Sequence, residues 1–190
     1  TPSRAPSRGS LRVVAGEARG LRLDAPPGDS TRPTSDRVRQ AVFNSLESMG
    51  AVEGARVLDA FAGSGALGIE ALSRGADHVV FSETSAVARA VLEVNLASTG
   101  MSGRATVVGR DGAVEVARGG EWDLVLLDPP YRFDGWDLLL AATAEALRED
   151  AVLVVESDRE IEPPPSLDVI RVKRYGGTVV TFAIPSGASS

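Results

Sequence analysis

Arg56-Val57-Leu58-Asp59-Ala60-Phe61-Ala62-Gly63-Ser64-Gly65-Ala66-Leu67-Gly68 reads as a short apolar strand, a tight glycine turn and the start of a helix. Glycines at such a turn let backbone N–H groups approach a ligand closely, because no Cβ stands between them. Gly63, Gly65 and Gly68 fit the G-x-G-x-x-G spacing, and Glu83 follows the first glycine at the distance of a ribose-binding acid. A nicotinamide-binding Rossmann domain is one reading of this pattern. Asp59 favours another. A carboxylate at the end of the first strand, ahead of the glycines, repels a pyrophosphate but suits the ammonium group of an amino-acid-like cofactor. S-adenosylmethionine carries an ammonium and a sulfonium and no phosphate, so charge selects it.

Downstream of this unit, strand and helix patterns alternate. Strands are expected at Val57–Phe61, Val79–Glu83, Ala105–Val108, Asp123–Leu127 and Val152–Glu156, with helices from Ser64, Ser85, Gly112 and Gly135. Such alternation builds a doubly wound, mostly parallel sheet. Leu167–Lys173 and Thr178–Ile184, joined across Tyr175-Gly176-Gly177, read as a hairpin that adds one antiparallel strand and completes a seven-stranded α/β sheet. Upstream, Leu11–Ala15 and Leu21–Ala25 read as a small β-hairpin, and Thr34 as the N-cap of a helix running to about Ser48. The expected organisation is a flexible basic tail at 1–10, an extension at 11–50, a catalytic domain at 51–185 and a flexible tail at 186–190.

The expected fourth strand leaves the sheet through Asp128-Pro129-Pro130-Tyr131. Prolines neither continue a ladder nor enter a helix interior, so the chain is held stiff at the strand's carboxyl end. Open α/β sheets place their ligands at that end. A rigid carboxylate, a proline carbonyl and a flat ring suit a planar base bearing an exocyclic amino group: two acceptors for its N–H bonds and a surface to stack on. The alternative is a plain strand exit with a solvated acid.

Together, Asp59 to Gly65, Glu83 and Asp128 to Tyr131 resemble the class I S-adenosylmethionine-dependent methyltransferases that act on exocyclic amino groups. The amino-terminal part narrows the resemblance. Arg12-Val13-Val14-Ala15-Gly16, Arg19-Gly20 and the run from Thr31-Arg32-Pro33-Thr34 to Phe43-Asn44 are similar to the bacterial 16S ribosomal RNA guanine-N2 methyltransferases of the RsmD type. The likeness extends from about Leu11 to about Ile184. It implies methyl transfer to the N2 amino group of a guanine in 16S rRNA, on the small subunit or a late assembly intermediate, with ribosomal proteins near the target as further partners. It implies cofactor contacts from Asp59, Phe61, Gly63, Gly65, Glu83, Asp111, Gly112 and Asp128. Catalysis falls to Asp128, Pro129, Pro130 and Tyr131, and substrate contact to Tyr131 and to Arg12, Arg19, Arg32, Arg37 and Arg39. The other meanings of Asp111, an ordinary helix N-cap, and of the arginines, internal ion pairs, stay open. So do a DNA or other RNA amino methyltransferase acting on adenine N6 or cytosine N4, and a non-catalytic cofactor-binding assembly factor.

Composition sets outer bounds. The 190 residues are enough for one good core, and no apolar run reaches the length of a membrane span. Without cysteine, and with His78 as the only histidine, disulfides and thiolate or multi-histidine metal sites are excluded; no metal is expected. The amino terminus lacks the apolar segment of a signal peptide, which leads to the expectation of a cytoplasmic protein; no feature encodes an oligomeric state, and a monomer is the default. Net charge is −6, but residues 1–50 hold eight arginines against five acids, a net of +3, while residues 51–190 carry −9. A basic arm on an acidic body fits local phosphate contact rather than general coating of RNA.

Overall fold

The computed structural model describes residues 11–28 and 36–188. In chain order the elements are α1 (Asp36–Ser48), β1 (Arg56–Asp59), α2 (Ala66–Ser73), β2 (His78–Ser82), α3 (Ala86–Thr99), β3 (Ala105–Val108), α4 (Gly112–Ala117), β4 (Trp122–Leu127), α5 (Trp136–Ala146), β5 (Leu147–Ser157), β6 (Leu167–Tyr175) and β7 (Thr178–Pro185). The seven strands form one sheet in the order β3-β2-β1-β4-β5-β7-β6. Pairings among β1 to β5 are parallel, and β7 runs antiparallel to both of its neighbours. The doubly wound architecture and the single antiparallel strand are as expected from the alternation of patterns.

Strand order reverses between β1 and β4. At such a switch point the connecting helices leave to opposite faces, and a crevice opens beyond the carboxyl ends. The two faces carry separate cores. One packs α1, α2 and α3 together with Val13, Ala18 and Leu23 against Val57, Val79, Phe81, Leu124 and Leu126. The other packs α4 and α5 against Leu58, Val80, Val125 and Leu127.

Two elements differ from expectation. β5 starts five residues earlier than the apolar run Val152–Glu156. Its pairing with β4 jumps from Trp122↔Leu147 to Leu124↔Val152, so exposed Arg148, Glu149 and Asp150 sit in an irregular segment of the ladder. Three consecutive charges carry no strand propensity, which is why the pattern did not show it. The amino-terminal hairpin is reduced to a single bridge, Arg12↔Arg22, supported by Val13 N–H to Leu21 O (3.0 Å) and Leu23 N–H to Leu11 O (2.9 Å). Its ladder stops because the next donors are used elsewhere: the N–H groups of Val14 and Ala15 bind the Glu70 carboxylate of α2 (2.9 and 3.0 Å), and that of Glu17 binds Ser73 O (2.8 Å). The expected helix N-cap, Thr34, lies outside the described residues.

Outermost in the sheet, β6 is exposed along most of its length, with a register shift between Val169 and Arg171. Among the described residues, no helix is long and apolar enough to cross a membrane.

Candidate active site

The carboxyl ends of β1, β2 and β4 bring Asp59, Glu83 and Asp128 to the crevice. Asp59 is 1% exposed. Its Oδ2 accepts the Gly68 N–H of α2 at 3.0 Å, while Oδ1 is buried and has no partner among the described residues. Burial pushes its carboxyl up to about 7; the Gly68 hydrogen bond opposes the rise, and Asp128 and Glu83 add to it. A carboxylate with a buried empty oxygen, under the repulsion of two others, is a site that binds a cation. The three acids do not form a metal-binding group among the described residues.

The glycine loop is fastened on both sides. Gly63 (φ +54°) and Gly65 (φ +83°) are left-handed, a conformation that a side chain disfavours, and a Cβ on Gly63 would meet no atom within 4 Å. The loop's surface at Gly63 is therefore open. Its N–H donates to Glu83 Oε2 (2.8 Å), and Glu83 Oε1 accepts from Ser85 N–H (2.9 Å). With the Gly63 and Gly68 N–H groups directed to carboxylates, the loop offers a pyrophosphate acids where a dinucleotide fold offers donors. The nicotinamide reading of G-x-G-x-x-G loses its electrostatic basis here.

Asp111 is an N-cap, as its alternative reading had it. Its Oδ1 accepts from Ala113 N–H (2.9 Å) and Val114 N–H (3.3 Å), so the cap uses Oδ1 and not Oδ2. Gly112 is buried, and a Cβ there would lie 2.1 Å from the Ala60 carbonyl oxygen. The glycine thus lets the start of α4 close against the end of β1, which sets Asp111 beside the glycine loop.

Past β4, Asp128 is half-buried, Pro129 is buried and Tyr131 is 63% exposed. The loop then turns, with Phe133 N–H donating to Pro130 O (3.1 Å) and Arg132 at φ +67°, alone among the described non-glycine residues in having positive φ. Holding a non-glycine residue in that region costs about 1–2 kcal/mol, so the surroundings must impose the turn. Phe133 does so in part: its ring meets Phe61 edge-on at 5.9 Å and Trp136 at 5.1 Å. Phe61, assigned to the cofactor, therefore also joins the glycine loop to the Asp128 loop.

The arginines separate. Arg19 and Arg37 are exposed, Arg12 is half-buried and donates to Gly20 O (2.9 Å), and Arg32 lies outside the described residues. Arg39 is corrected: it is 0% exposed and cannot reach RNA in this fold. Its guanidinium binds Asp36 (2.8 Å), Glu70 (3.4 Å) and the Arg12 carbonyl. Glu70 also pairs with Arg74 at 2.9 Å, so one buried carboxylate fixes the hairpin and α1 to α2.

Glu70, Asn95 and Phe133 were not singled out from the sequence. Asn95, also buried, accepts from Asp24 N–H (2.8 Å) and donates to the carbonyls of Asp24 (3.0 Å) and Ser64 (2.9 Å), tying the amino-terminal segment to the glycine loop. A polar residue on the apolar stripe Leu92, Asn95, Leu96 was the available signal.

Fold and site together define a Rossmann-like methyltransferase of class I. Residues 11–184 match the family model described as Conserved hypothetical protein 95. The chain is 38% identical to Ribosomal RNA small subunit methyltransferase D of Escherichia coli, over 80% of this chain and 77% of that one. It is 32% identical to the protein of the same name from Haemophilus influenzae, over 90% and 91%. A solved Escherichia coli chain, yhhF, described as a candidate methyltransferase, superposes with TM-score 0.82 at 34% identity, over 93% of this chain and 98% of that one. The chain belongs to this family, that of the RsmD-type rRNA methyltransferases.

Proposed function

We propose that the protein methylates the N2 amino group of a guanine in 16S rRNA, using S-adenosylmethionine and acting as a monomer on the small ribosomal subunit or a late assembly intermediate. The observation that carries this reading is the pairing, at one switch point, of a stiff Asp128-Pro129-Pro130-Tyr131 exit with the buried, half-unpartnered carboxylate of Asp59. The names of the family members support small-subunit ribosomal RNA as the substrate, and guanine N2 follows from the resemblance of the amino-terminal motifs.

The residues present fit the cofactor. Asp59 would hold its ammonium group, Glu83 its ribose hydroxyls, the free oxygen of Asp111 its adenine amino group, and the open surface at Gly63 its backbone. Bound there, S-adenosylmethionine supplies an activated methyl group on a sulfonium, with a neutral thioether as leaving group. Asp128 and the Pro129 carbonyl accept the two N–H bonds of the target amino group. They turn its lone pair, otherwise delocalised into the ring, toward the methyl carbon. The bound cofactor would supply the methyl group to that nitrogen, and the extra proton would leave to water afterwards, so Asp128 need not be a strong base. Tyr131 stacks on the base once it has been drawn out of its helix or loop. The extension, through exposed Arg19 and Arg37 together with Arg12 and Arg32, contacts RNA, with ribosomal proteins beside the target completing the surface.

The test is methyl transfer from labelled S-adenosylmethionine to small subunits from cells lacking this enzyme, with naked 16S rRNA and duplex DNA in parallel and nucleoside analysis of the product. N2-methylguanosine in the subunits is expected. Label in DNA or in another base would overturn the substrate, and no label anywhere despite tight cofactor binding would favour an assembly factor.

A further inference from the structure

On the α4–α5 face, a cavity of about 380 Å³ opens between β2–β3 and the carboxyl end of α4. Its wall carries three guanidinium groups, Arg56, Arg110 and Arg118, against one carboxylate, Glu115, a net of +2. Glu115 is held by Arg110 and, at 3.8 Å, by Arg118. Arg56 forms no ion pair among the described residues; Asp123 accepts its backbone N–H (2.8 Å) but pairs with Arg148 instead. The Arg56 guanidinium lies over the Trp122 ring, 4.9 Å from its centroid, which fixes the plane of the group. The Trp122 side chain is itself buried, and its indole N–H has no acceptor among the described residues.

This excess of positive charge is unusual in a body that carries −9 over residues 51–190. Several arginines elsewhere on that body are matched, Arg74 with Glu70, Arg148 with Asp123 and Glu121, Arg159 with Asp158 and Arg174 with Glu160, while Arg89 and Arg171 are held by carbonyl and hydroxyl oxygens. The charges at the cavity stand at more than one level: Arg110 and Arg118 meet at Glu115, and Arg56 stands apart at the start of β1. Arg56 pairs in register with His78 at the start of β2, and Val108 pairs with Ser82 at its end. The rise of a strand puts those two levels about 13 Å apart, with Arg110 beyond the upper one. That length spans more than one phosphate along a nucleic-acid strand.

We propose that this cavity is a second RNA contact, which takes the phosphodiester backbone of the substrate at a distance from the methylated base. This rests on the proposed action on ribosomal RNA and extends it to the face of the sheet opposite the amino-terminal extension. Planar guanidinium groups at two separate levels of the wall fit successive phosphates of one strand.

The test is the R56Q/R118Q double variant, in which both altered residues lie outside the proposed cofactor and catalytic set. Cofactor affinity, kcat and Tm are expected to stay near those of the wild type. KM for small subunits should rise about tenfold, and the slope of log K against log salt for binding 16S rRNA should shrink by about 1–2. An unchanged KM and an unchanged slope overturn the proposal. Saturable binding of inorganic phosphate or a mononucleotide, lost in the variant with the RNA slope unaltered, reassigns the cavity to a small anion. Loss of polyglutamate binding with RNA binding intact reassigns it to an acidic protein. Because the salt slope is read from binding alone, it reports on the cavity even if the wild-type protein fails to methylate the subunits.

Discussion

Asp59 makes the crevice sensitive to pH. Its carboxyl titrates near 3.8 when unfolded and near 7 in the fold. Between those values the folded state holds the extra proton, so the group's contribution to stability is complete below 3.8 and lost as pH rises through about 7. The whole shift corresponds to a loss on the order of 4 kcal/mol. A cofactor ammonium set against the carboxylate reverses the balance. S-adenosylhomocysteine should bind up to about tenfold more tightly per pH unit between roughly 5.5 and 7, then level off. Asp59→Asn should flatten that profile, weaken binding and raise the Tm of the ligand-free protein at pH 8. Calorimetry across pH with both chains measures this, and an equally steep profile for the variant would refute it. Asp128 is separable from Asp59: Asp128→Ala should lower turnover about a thousandfold while cofactor affinity stays within a few-fold. Near-normal methylation by that variant would exclude the proposed orientation of the amino group.

Among the elements, α2 does most to join the parts of the chain. Its first turn faces the crevice, and Glu70 on it binds the hairpin, α1 and Arg74. Breaking a buried ion pair by removing one partner costs about 3–5 kcal/mol, because the other charge stays buried. Arg39→Ala should therefore lower stability by about that amount in urea denaturation, with RNA binding lost only in proportion to unfolding. Arg19→Ala and Arg37→Ala should do the opposite, leaving stability within about 0.5 kcal/mol and raising KM for the subunit. The elements that sequence revealed were those with local causes: the apolar run at Leu124–Leu127, the glycine turn at Gly63 and Gly65, the proline exit at Pro129. Arg39 and Glu70 had no such mark. Whether an arginine on a helix faces water or a buried carboxylate depends on which helix packs there, and 31 residues separate this pair. The Arg148–Asp150 part of β5 was hidden likewise, since the partners that hold Arg148 at its strand position, Asp123 and Glu121, lie more than twenty residues away.

For the whole molecule, extension and catalytic body share one core. Val13, Ala18, Leu23, Val42, Phe43 and Leu46 pack with Val57, Ile69, Leu72 and Phe81. A chain cut to residues 51–190 would expose that apolar surface, leave Glu70 with Arg74 alone and take from Ser73 its partners Ala15, Glu17 and Ala18. It should show no cooperative thermal transition by circular dichroism; a sharp transition near that of the full chain would make the extension a separable arm. The division of charge has the same scale. Most of the surface repels RNA while a few patches attract it, which favours a substrate whose shape reaches those patches over RNA in general.

Last in the sheet stands β6, with one side of its backbone unpaired and Val169, Ile170 and Val172 exposed. Such a strand is a template on which another copy can add itself. Arg171 and Lys173 put like charges on this edge strand beside the Arg174–Glu160 pair, and the irregular pairing between Val169 and Arg171 bends it out of line. These residues touch no part of the crevice, yet they set the open edge against pairing with the same edge of another copy.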